Sequence, residues 1–161
     1  KEYFPFLVIE EKNFSLGKQN KISYKVIGYK CKCILDRVEK DDDNKTIRVI
    51  DFKTTSKSTK PEIFATAIED FGYDFQGAYY LIAAQKVIQI NYPEYILEKF
   101  MIVVESTVYP GSPRIFEMSD ETFAQALKKV EEAEDDMMYY VLTDQYKYNK
   151  REIANRGITR F

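Results

Sequence analysis

Three ionisable residues sit where apolar chain surrounds them. Asp36 follows Cys33-Ile34-Leu35, and Asp51-Phe52-Lys53 follows the apolar run Ile47 to Ile50. A carboxylate in such a segment is expensive to desolvate, so folding demands a compensating charge. Lys53 can neutralise one acid, and a divalent cation is the natural partner for the rest. With oxygen ligands alone that ion would be hard, Mg²⁺ with Mn²⁺ as a substitute. Such an ion polarises a phosphate, offsets developing negative charge and lowers the pKa of a bound water. Lys53 would orient the attacking water or offset transition-state charge. A buried ion pair between Lys53 and one aspartate, without any chemistry, would use the same residues.

Whether the three can meet depends on the strands that carry them. Phe6–Glu11, Lys21–Lys30, Cys31–Glu39 and Thr46–Lys53 are rich in Val, Ile, Phe and Tyr and are expected as strands. Lys40-Asp41-Asp42-Asp43-Asn44-Lys45 is expected as an exposed hairpin turn, its consecutive acids lacking the alternation and glycine of a calcium loop. If Asp36 pairs opposite Asp51, or opposite Val49 with Asp51 as the diagonal neighbour, then Asp36, Asp51 and Lys53 share one face. Opposite and diagonal carbons lie roughly 5 to 8 Å apart, close enough to share one ion. A slip of one residue sends the acids to opposite faces.

Helical signals follow. Pro61 to Phe71 begins with proline, Gly72 breaks it, and Tyr73 to about Ile90 forms a second helix ended by Asn91-Tyr92-Pro93. Phe100 to Glu105 is a short apolar strand, and Tyr109-Pro110-Gly111-Ser112-Pro113 a turn. Ser119 caps a long helix whose third helical position is Thr122, so the capping box is incomplete. Strands, two helices, a strand and a helix make a mixed α/β domain in which helices cover a sheet.

Composition narrows the function classes. The chain has 161 residues, 45% apolar, which suffices for one domain with a buried core. Its net charge of −2 argues against a protein that simply coats nucleic acid, though a local basic groove remains open. There is no histidine, so Ser-His, Cys-His and His-metal chemistry is excluded within this chain. Two cysteines, Cys31 and Cys33, are too few for a disulfide framework and fit as small buried strand residues. No apolar run approaches the roughly 18 residues of a membrane helix. No signal peptide is recognisable, and the expected location is the cytoplasm of a bacterial or phage-infected cell.

Asp36 followed by Asp51-Phe52-Lys53 resembles the signature of the PD-(D/E)XK nuclease superfamily, with Leu35 where the family often has proline. Tyr73-Asp74-Phe75-Gln76-Gly77-Ala78-Tyr79-Tyr80 resembles the Gln-x-x-x-Tyr helix of the branch containing exonuclease VIII, RecB-type nuclease domains and phage exonucleases. Gln76 and Tyr80, four apart, share a helix face. Lys53-Thr54-Thr55, the later Phe100 to Glu105 strand and the long last helix are also similar to that group, so the resemblance runs from about residue 22 to about 145.

The resemblance implies a restriction-endonuclease-like core, a mixed central β-sheet flanked by α-helices. It implies that Asp36 and Asp51 bind Mg²⁺ with the Phe52 main-chain carbonyl, that Lys53 is catalytic, and that Gln76 and Tyr80 hold DNA or brace the site. Thr54, with Lys57 and Lys60 in the loop beyond, is a candidate phosphate contact. The implied function is a Mg²⁺-dependent deoxyribonuclease, an exonuclease on linear double-stranded DNA in recombination or end processing. It would hydrolyse phosphodiesters by metal-activated water, possess no membrane partner, and form a homo-oligomer or meet a recombination partner protein. The alternative is a nuclease-like module that binds DNA or protein without cutting. Members of the branch usually carry a further acid on an upstream helix. Glu2, Glu10 and Glu11 are candidates by charge alone, and the chain reads as a single-domain fragment lacking an N-terminal helical part.

Overall fold

The computed structural model describes Val8–Ile9, Asn20–Val26 and Tyr29–Thr143, with side chains from Cys33 onward apart from Val141. Glu2, Glu10, Glu11, most of the strand expected over Phe6–Glu11 and the Cys31 side chain lie outside this description. The chain divides into two compact units, Lys1–Leu127 and Lys128–Phe161. The second unit contains the later turns of a long helix. Everything that positions the candidate site belongs to the first.

In that unit β1 (Val8–Ile9), β2 (Asn20–Val26) and β3 (Tyr29–Leu35) form an antiparallel sheet in that order. The run expected as one strand over Cys31–Glu39 is split. It bends at Asp36 and continues as β4 (Arg37–Asp41) in a second sheet. At the bend Asp36 turns its carboxylate onto the main chain of the neighbouring strand. There β5 (Thr46–Thr55) runs antiparallel to β4. The turn between them is held by Asp41, whose Oδ1 accepts from the N–H groups of Asp43 and Asn44 at 3.0 Å each. Lys45 there takes a left-handed φ of 55°.

After β5 the chain forms α1 (Pro61–Asp70) and α2 (Tyr73–Asn91), with proline in the first turn of α1 and left-handed Gly72 between the helices. It returns through β6 (Ile96–Leu97) and β7 (Met101–Ser106), both parallel to β5, and β8 (Arg114–Glu117) closes the sheet antiparallel to β7. Neither β6 nor β8 is expected from sequence, because a two-residue strand and a short exposed edge strand carry little apolar pattern. The last helix, α3 (Asp120–Thr143), starts at the expected cap: Ser119 Oγ accepts the Thr122 N–H at 3.1 Å.

Alternation along the strands sorts the second sheet into two faces. Val38, Ile47, Val49, Asp51, Ile102 and Val104 point to one side and are buried. Both α1 and α2 cover this side. Phe64 of α1 packs at a tilt against Phe116 of β8, ring centres 4.8 Å apart, and Tyr80 of α2 meets Phe100 edge-on at 6.2 Å. On the other side Phe52 and Ile115 are exposed.

The approach of α2 to the core depends on Gly77. A Cβ there would lie 2.4 Å from Cδ1 of Phe100 and 2.6 Å from Cε of Met118. Phe100 is almost fully buried, so its ring has little room to yield. Gly77→Ala is therefore expected to cost about 1–2 kcal/mol, overpacking outweighing the nearly 1 kcal/mol that alanine gains in a helix. Urea denaturation checks this, and an unchanged or higher midpoint would contradict it.

Candidate active site

Of the two favourable registers, the fold adopts the one that sets Asp36 against Asp51. Arg37 pairs with Ile50 and Val38 with Val49, so the position facing Asp51 across the ladder is Asp36, at the bend where β4 begins. Asp36 Oδ2 accepts the Phe52 N–H at 3.0 Å, tying the bend to β5. Lys53, two residues beyond Asp51, lies on the same face. Asp51 and Lys53 thus lie on the face that α2 covers, with the Asp36 carboxylate beside them on the β5 main chain.

Asp51 is the strained member. It is only 2% exposed, and its Oδ2 has no hydrogen-bond donor among the described residues. Lys53 Nζ stands 2.6 Å from that oxygen, as an ion pair without hydrogen-bond geometry. Burial pushes the Asp51 carboxyl above the ordinary carboxylate range; the Lys53 ammonium pulls the other way, and the Asp36 carboxylate adds to the rise. The net direction is upward, so in the metal-free fold the ionised form is undercompensated. Oxygen donors, proximity of two acids and a buried carboxylate compensated by one ammonium alone suit a hard divalent cation. Among the described residues no group of three or more His, Cys, Asp or Glu converges on such a position.

Lys53 has a second neighbour that sequence reasoning missed. Its ammonium lies 4.7 Å from the ring centre of Tyr73, at the start of α2. That ring is itself flanked by Phe71 at 5.7 Å and Phe64 at 6.2 Å. Tyr73 thereby limits the directions Lys53 can take. If Lys53 is catalytic, Tyr73→Leu is expected to lower kcat about five- to tenfold at little cost in KM, with Tyr73→Phe near wild type. Equal loss in both variants would remove the ring's role.

Gln76 and Tyr80 occupy one face of α2, joined by Gln76 Nε2 donating to the Tyr80 hydroxyl at 2.9 Å. Burial raises the Tyr80 phenol pKa, Gln76 lowers it, and the Asp51 charge raises it further. The phenol stays protonated at neutral pH, and with Gln76 as its donor its own proton is left to give. Thr54 is placed differently. It alternates to the other face, exposed and opposite Glu105, while the Phe52 side chain points away with it and only the Phe52 main chain borders the acids. A cavity of about 480 Å³ in this unit lies elsewhere, among Leu81, Ile82, Leu97, Met118, Phe123 and Leu127, and includes none of the three charged residues.

The mixed sheet with its helices is an α/β fold consistent with a restriction-endonuclease-like core. Residues 10–147 match the family described as a PDDEXK-like domain of unknown function (DUF3799), and the chain belongs to it. No curated protein matches the chain in sequence. Among solved structures it is similar to a "Putative exonuclease" from Eubacterium rectale, at 21% identity and a TM-score of 0.50. That match covers 90% of this chain and 47% of the other, so the chain spans about half its length. A second structure, SSO0001, aligns at 16% identity and a TM-score of 0.38, over 71% of this chain and 48% of the other.

Proposed function

We propose that this protein is a divalent-metal-dependent deoxyribonuclease, an exonuclease on linear double-stranded DNA, working in recombination or end processing in a bacterial or phage-infected cytoplasm. The observation that carries the reading is the convergence of Asp36, Asp51 and Lys53 on one face beneath α2. Membership in a PDDEXK-like family supports it.

In this reading Asp36, Asp51 and the Phe52 carbonyl hold Mg²⁺ or Mn²⁺. The ion, when bound, supplies positive charge to the scissile phosphate and acidifies water. With a cation held there, Asp51 would no longer depend on Lys53 for its compensating charge. The ammonium then orients the attacking water or meets the charge that develops on the non-bridging phosphate oxygens. Water oxygen bonds to phosphorus as its proton passes to solvent, the bridging P–O bond breaks, and the departing oxygen takes a proton from solvent. Tyr80, kept protonated and positioned by Gln76, donates to a phosphate oxygen.

A second reading is a nuclease-like module that binds DNA or a partner protein without cutting. The observation favouring it is that Lys53 is already ion-paired with Asp51, with no third carboxylate converging among the described residues. Digestion of linear duplex by the full-length protein with and without Mg²⁺ separates the two. Metal-dependent cleavage lost in Asp51→Ala and Lys53→Ala supports the enzyme. Binding without cleavage, or cleavage that survives both changes, removes the mechanism.

A further inference from the structure

The face that carries the acids extends beyond them toward an open edge. Lys53 of β5 pairs with Val104 of β7, and Val104 pairs with Arg114 of β8. Paired residues share a face, so Lys53, Val104 and Arg114 form one row across three strands. Two interstrand spacings separate the backbones of Lys53 and Arg114, about 9–10 Å. Phe116, the next residue of β8 on this side, lies under Phe64 of α1, whereas Arg114 is exposed. No carboxylate lies within ion-pair distance of Arg114 among the described residues, whereas Arg37, Lys40, Arg48, Lys53 and Lys99 all have one.

The segments at this end of the sheet are braced. Thr55 O accepts the Thr107 N–H at 2.8 Å, which joins the loop after β5 to the loop after β7. Lys57 N–H donates to Thr55 Oγ1 at 3.1 Å. Ser106 Oγ accepts from the N–H groups of Val108 and Tyr109, and Glu105 Oε1 accepts from Gly111 N–H at 2.7 Å. The chain entering Arg114 is therefore held in place. Lys57, also exposed, has no ion-pair partner among the described residues either.

From this placement we infer a track for a nucleic-acid backbone at the C-terminal ends of β5 and β7, with Arg114 and Lys57 as its phosphate contacts. It rests on the proposed nuclease reading and deepens it by saying how the substrate strand lies. Arg114, about 9–10 Å from Lys53 across two strand spacings, and Lys57, two residues beyond the end of β5, take phosphates flanking the scissile one and hold the strand on the line that crosses Asp51. Guanidinium and ammonium contacts to phosphate position the duplex without reading its sequence.

The test is duplex binding by the full-length protein, followed by fluorescence anisotropy in Ca²⁺ over a range of salt concentrations. Arg114→Gln is expected to weaken binding about tenfold and to flatten the salt slope by about 0.9. Arg114→Gln with Lys57→Gln should flatten it by about 1.8. Lys86→Gln, on α2 beside the apolar cavity, should leave both unchanged. An unchanged thermal midpoint in each variant excludes misfolding. If the wild type binds and the double variant keeps its affinity and slope, the track is overturned and the nuclease reading stands. If the wild type itself does not bind duplex at low salt, the nuclease reading falls and the track with it.

Discussion

Asp51→Asn is expected to lower DNA hydrolysis by at least about a thousandfold, because a metal-holding charge is lost at nearly constant volume. Without metal, the same change is expected to raise stability. The Asp51 carboxyl has its pKa raised in the fold, chiefly by burial. For an acid shifted upward, the native state holds the proton more tightly than the unfolded chain. Stability therefore falls as pH rises from the ordinary value of 3.8 through the raised one, and the penalty is fully present above it. Asn carries no such penalty. Thermal midpoints of wild type and Asp51→Asn, measured in chelator, should draw together below pH 4 and separate toward neutrality, with the variant the more stable. A variant less stable at neutral pH would mean that the Lys53 pair is a structural brace.

Lys53→Met gives the second large effect, with the opposite sign for stability. Activity is expected to fall about a hundred- to a thousandfold, as when a positioned charge is withdrawn from a developing anion. The change also leaves Asp51 buried with no cation beside it. The cost is on the order of 2 kcal/mol, below that of a fully buried pair because Asp51 can take up a proton and Lys53 is partly solvated. In Lys53→Met with Asp51→Asn that cost should vanish, since no charge remains to be compensated. Urea denaturation of the two single variants and the double variant measures the coupling. Additive effects would contradict the account of Asp51 as an undercompensated buried acid.

Much of this site was legible because β-structure has a period of two. Once Asp36 and Asp51 sat on paired strands, one of two odd registers placed them with Lys53, and the ladder through Val38 and Val49 adopts one of these. The same rule was a signal for Thr54: one residue from Lys53, it had to face the other way. Pro61, Gly72 and Ser119 marked helix boundaries because proline, left-handed glycine and a capping hydroxyl act locally. Tyr73 was not legible as a neighbour of Lys53, since their contact depends on how α2 lies over the sheet. The place of Arg114 was equally hidden. Arg-Ile-Phe-Glu is too short to declare itself a strand, and only its pairing with β7 puts the arginine on the site's face.

In the proposed nuclease, Asp36 and Asp51 hold one hard cation at Lys53's side. Anomalous scattering from crystals of the full-length protein soaked in Mn²⁺ addresses it most directly. A single strong peak within about 2.2 Å of oxygens from both carboxylates is the expected result, with the Lys53 ammonium displaced from Asp51. At saturating Mn²⁺, no peak there and an intact Lys53–Asp51 contact would contradict it.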